Sequence, residues 1–213
     1  MKEEKIKISL KSVTLDGIVT LPPQTKNMVV FAHGTGSSRL SPRNQFVARV
    51  LNEAGMGTLL FDLLTSKEDQ TYETRFNIAL LTQRLSLTAQ WLLTQEKLKT
   101  LEVGFFGAST GAAAALEATV VLKNPKIKAI VSRGGRPDLA LSLLPKVTAP
   151  TLLIVGGADF GVIELNQKAY AALECEKKLV LVPKATHLFE EPGTLEEAAQ
   201  LAKEWFISYL PTN

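Results

Sequence analysis

In the stretch GFFGASTGAAAAL, residues 104–116, one serine, Ser109, stands where an apolar run gives way to an alanine-rich one. Gly107, Ala108, Ser109, Thr110 and Gly111 match G-x-S-x-G, a pattern that on a strand-to-helix turn holds a serine hydroxyl clear of a sheet as a nucleophile. A serine followed by small residues also suits a helix cap; the apolar VGFF before it and the alanines after it favour the turn. A hydroxyl needs a base, and the chain holds only two histidines, His33 and His187. His187, in VPKATHLFEEPG, follows the last apolar run and is the expected base. An acid must orient the imidazole and stabilise its charged form. Asp159, in VGGADFGV, is the expected acid; Asp138, in RGGRPDLA one apolar run earlier, is a second candidate.

These residue types together perform acyl transfer to water through an acyl-enzyme, with Ser109 as nucleophile, His187 as general base and Asp159 behind it. A tetrahedral intermediate also needs amide donors, each worth roughly 3 kcal/mol of transition-state stabilisation. The expected donors are the backbone amides of Thr35, in the glycine-bearing run FAHGTGSSRLSPRN, and of Thr110, the residue after the serine. His33 is expected to hold the shape of that loop. Arg39, Arg43, Arg133 and Arg136 cluster in two loops, SSRLSPRN and SRGGRPDLA. Arginine suits bidentate recognition of carboxylate or phosphate, so they suggest an anionic substrate; pairing with local acids such as Asp62 or Asp138 is the other reading.

Positioning these groups requires strands that end at one edge. Apolar runs at 28–33, 57–64, 101–107, 127–134, 151–157 and 178–183 read as buried strands, and segments of helical period lie between them, including 74–98 and Thr194–Tyr209. The first twenty residues instead read as two strands with no helix between, hence an antiparallel start. This alternation predicts a three-layer α/β fold, a mostly parallel sheet whose ligands lie beyond the carboxyl ends of the strands. Length favours one domain over 1–213.

A formal net charge of +3 without a run of like charges argues against nucleic-acid binding. Cys175 is the only cysteine, which fits a reducing, cytoplasmic setting. No apolar tract reaches the ~20 residues of a membrane helix, and the charged N-terminus MKEEKIKISL is unlike a secretory leader. No metal or organic cofactor is expected: zinc-ligand spacings and nucleotide loops of the GxGxxG or GK[ST] forms are missing.

With HGTGSS, GASTG, VGGAD and ATHLF in that order, the chain resembles a serine hydrolase of the α/β-hydrolase fold, nearest the dienelactone hydrolase-like group. Dienelactone hydrolases use a cysteine nucleophile, whereas Ser109 stands here. The resemblance implies an esterase acting on a small ester or thioester; amidase and acyltransferase chemistry are alternatives within the fold. Many relatives carry a helical lid, but the segment between SRGG and TLLIVGG holds little more than one helix with its loops, so a lidless, open site is expected. VSRGGRPDLA and SSRLSPRN also resemble a subgroup sometimes fused to phosphoribosyltransferase domains, which suggests a functional link to such an enzyme; a homodimer stays open. A non-catalytic binding module on the same fold is the reading from a different class.

Overall fold

The computed structural model describes residues 3–210; Met1, Lys2 and residues 211–213, the two ends of the expected domain, lie outside it. Eight strands, β1 (Glu3–Ser9), β2 (Thr14–Thr20), β3 (Asn27–Ala32), β4 (Gly57–Phe61), β5 (Glu102–Ala108), β6 (Ile127–Arg133), β7 (Thr151–Gly156) and β8 (Lys177–Val182), form one sheet in the order β1-β2-β4-β3-β5-β6-β7-β8. β1 pairs antiparallel with β2, and β2 with β4; every other pairing is parallel.

β3, β4 and β7 are buried along their whole length, because helices cover both faces of the sheet. Alternate residues serve the two faces: Val30 and Phe105 join a core beneath α3 (Ile78–Thr94), α4 (Thr110–Leu122) and α5 (Phe160–Ala172), while Val29, Phe31 and Phe106 join one beneath α1 (Pro42–Glu53) and α6 (Thr194–Tyr209). Among the described residues, no helix is long and apolar enough to cross a membrane.

The helical segment expected at 74–98 is divided. A short α2 (Tyr72–Arg75) ends before Asn77, whose side chain accepts the Leu80 amide at 3.0 Å and caps the start of α3. An asparagine that satisfies an orphan amide at a helix start outweighs a pattern that runs through it. Between β6 and β7 the chain forms only a 3-10 helix, Pro137–Lys146, whose Ala140 and Leu144 are buried in the core.

Candidate active site

Ser109 lies at the turn from β5 into α4 with φ 51 and ψ −123, a conformation that costs a non-glycine residue of order 1–3 kcal/mol. Close packing holds it there: a Cβ on Gly107 would sit 2.4 Å from the Ala112 Cα, and one on Gly111 would sit 2.1 Å from the Ala32 carbonyl oxygen. Two neighbouring-loop bonds add to this, as Ser109 donates its amide to the Arg133 carbonyl at 3.4 Å and accepts from the Arg136 amide at 3.0 Å. Although Ser109 stands at the cap position of α4, its side chain makes no capping bond. The hydroxyl is thus not engaged in building the helix.

Asp159 shows the same pattern. It stands at the cap position of α5 without a side-chain capping bond, and its Oδ2 accepts instead from His187 Nδ1 at 2.7 Å. That bond fixes the proton on Nδ1 and leaves Nε2 as the basic nitrogen. The Asp159 side chain is largely covered, whereas His187 is 38% exposed, so a substrate can reach the imidazole. His187 follows β8 in a loop tied by Thr186, whose amide and hydroxyl donate to Glu191 at 3.0 and 2.6 Å. Ser109 and His187 line one cavity of about 160 Å³ at the carboxyl edge of the strands. Asp138 is not brought to His187; it takes Arg136 in a bidentate pair, both contacts 2.8 Å.

The amide donors differ from each other. Thr110 N–H is at the first position of α4, where no intrahelical acceptor exists. Thr35 N–H donates to Thr110 Oγ1 at 3.0 Å, and Thr35 Oγ1, 3.0 Å from that same hydroxyl, donates to the Arg75 carbonyl at 3.1 Å. The Thr110 side chain therefore ties the Thr35 loop to the turn after β5, and the Thr35 hydroxyl ties that loop to α2; the Thr110 bond has no sequence signal beyond the residue's place in the motif. His33 is buried, accepts the Leu63 amide on Nε2 at 3.0 Å and so donates Nδ1–H to the Gly34 carbonyl at 2.9 Å. Burial lowers the pKa of this imidazole below its ordinary value, which keeps it neutral.

The arginines divide. Arg39 is bound to Asp62 through its amide (2.7 Å) and guanidinium, and Arg136 to Asp138, so both hold loops. Arg43 and Arg133 line the cavity. Arg43 reaches Glu190 at 3.1 Å in an exposed pair. Arg133 is buried between the rings of Phe106 and Phe189, its guanidinium carbon 5.9 and 5.7 Å from their centroids. Its Nη2 donates to Asn44 Oδ1 at 3.4 Å, while Nε and Nη1 are buried without a partner. Burial, and then Arg43 beside it, push this guanidinium down to about 10, which leaves it charged at neutral pH. A buried cation with no facing carboxylate is costly unless an anion completes it. Which of the four arginines would be buried could not be read from the sequence; the apolar neighbours of Arg133 on β6 were the available signal.

Comparison with known proteins places this geometry in a family. The model of the dienelactone hydrolase family matches residues 15–212. A dienelactone hydrolase from Anabaena variabilis is 50% identical, with TM-score 0.96 and 99% of each chain covered. A lidless α/β serine hydrolase from Xanthomonas campestris has the same fold at 20% identity, TM-score 0.78, covering 100% of this chain and 97% of its own. A Mycobacterium tuberculosis H37Rv protein named as a phosphoribosyl transferase is 52% identical over 212 residues, 99% of this chain; the chain spans only 47% of that relative.

Proposed function

The chain belongs to the dienelactone hydrolase family and is an α/β hydrolase of carboxylic-ester-hydrolase type, and on that premise we propose that it cleaves small anionic esters or thioesters through Ser109, His187 and Asp159. The observation that carries this reading is the 2.7 Å bond from His187 to Asp159 in a cavity shared with an uncapped Ser109 on a strained turn. In the proposed sequence, Ser109 Oγ attacks the carbonyl carbon while His187 Nε2 takes its proton. The imidazolium, stabilised by Asp159, returns that proton to the leaving alcohol or thiol as the acyl bond breaks. Water then attacks the acyl-enzyme with His187 again as base, releasing acid and restoring Ser109. The Thr110 amide, with Thr35 once its bond to Thr110 Oγ1 is shared, would face the developing oxyanion.

The anionic preference rests on Arg133, with Arg43 beside it at the cavity wall. A functional link to phosphoribosyl transfer is part of the same proposal and is supported by the name of the mycobacterial relative. Hydrolysis of short p-nitrophenyl esters, neutral and carboxylated, by wild type and Ser109→Ala tests the core of it, with fluorophosphonate labelling read by mass spectrometry. Activity lost in the variant and a label on Ser109 are expected; equal activity in both proteins and no label would leave a binding module. Arg133→Gln should raise KM for the carboxylated ester far more than for its neutral analogue, and equal effects would remove the anionic preference.

A further inference from the structure

A larger cavity, about 620 Å³, lies at the opposite edge of the sheet, where β6 and β7 begin. Its volume is in the range of small-molecule sites, roughly 300–1,000 Å³. Its lining combines the apolar Val120, Ile127, Ala149 and Pro150 with Lys123, Lys128 and Lys146, and holds no aspartate or glutamate. Three separate elements deliver those lysines: Lys123 caps the end of α4 in the left-handed region (φ 46), Lys128 is on β6, and Lys146 ends the 3-10 helix. Neutralising the negative end of α4 accounts for Lys123 alone. Lys128 meets Glu102 at 3.5 Å; among the described residues, Lys123 and Lys146 have no carboxylate within ion-pair distance. Like charges gathered around one concave surface repel one another and hold a positive potential there, which an anion relieves.

We propose that this cavity binds a small organic phosphate with an apolar or aromatic body, the phosphate held by the lysines and the body lying on Val120, Ile127 and Pro150. The site is separate from the catalytic one and does not depend on the reading of Ser109.

The probe is 1-naphthyl phosphate, titrated by calorimetry against the full chain carrying Ser109→Ala. Saturable binding is expected, weakening as salt rises, and at least tenfold weaker in Lys123→Glu/Lys146→Glu. Inorganic phosphate and 1-naphthol should each bind more weakly than the conjugate, because each meets half of the site. Lys123→Gln/Lys146→Gln, a milder change, gives an intermediate loss and serves if the reversed pair does not fold. Ester hydrolysis in the glutamine variant with Ser109 intact should match wild type. Binding that is unchanged in both lysine variants, or no saturable binding to the Ser109→Ala chain, would overturn the proposal.

Discussion

At the scale of single residues, the identity of the acid separates two readings that the sequence leaves open. Asp159 and Asp138 both follow strands that end at the same edge of the sheet as β5, and both begin helical segments. The structure gives them different partners: His187 for Asp159 and the Arg136 guanidinium for Asp138. Asp159→Asn keeps the side chain's size but removes the charge that would stabilise an imidazolium, so on the proposed mechanism kcat should fall by roughly 10⁴-fold, the scale of that change in a serine-histidine-aspartate site. Asp138→Asn should leave kcat near wild type, and the reverse pattern in a kinetic comparison would exchange their roles. The bond of Asp159 to His187 and the cavity that Ser109 and His187 share were legible because motif, chain order and strand ends agree. Burial of Arg133 and the Thr110 hydroxyl bond were not, since both depend on which side chains from distant elements meet.

At the scale of elements, the loop after β3 and the turn after β5 are built against each other. Gly111 is where α4 passes the carbonyl of Ala32 at the end of β3, and a Cβ there has backbone, not a yielding side chain, in its way. Gly111→Ala should therefore destabilise by more than the ~1–3 kcal/mol typical of an overpacked core, read as a large drop in Tm or loss of soluble protein. His33 bridges the ends of β3 and β4, and its pKa is lowered from 6.5 by burial. Below 6.5 the unfolded chain takes up a proton that the folded one does not, so stability falls as pH drops through that window, with a limiting slope of about 1.4 kcal/mol per pH unit. Denaturant melts between pH 7 and 5 should show this slope in wild type and a flatter one in His33→Gln. Most buried strands were legible to within a residue because continuous apolar runs reflect burial, but the run at 57–64 overshoots β4 by three residues, since Leu63 and Leu64 are buried beyond the strand, and the break at Asn77 was hidden by an uninterrupted helical period.

At the scale of the whole molecule, the cavity of Ser109 and His187 opens at one edge of the sheet without a helical cover. The segment between β6 and β7, where a lid would stand, is anchored from both sides. Arg136 N–H binds the Ser109 carbonyl, Asn166 Nδ2 of α5 donates to the Gly135 carbonyl at 3.0 Å, and Leu144 is buried beneath the 3-10 helix. The lidless form was legible because segment length alone limits what can be built there; the anchoring was not, as it comes from α5, a later element. A lipase lid opens at an oil surface, so its rate jumps when substrate passes its solubility limit. Here the segment that would move is bonded to the turn that holds Ser109, and opening it would disturb that residue. Tributyrin hydrolysis should rise hyperbolically through the solubility limit with no step, followed by pH-stat titration on both sides of that concentration. A step at the limit would mean that Pro137–Lys146 detaches at an interface, and then the contacts from Asn166 and Arg136 could not be what holds the site in place.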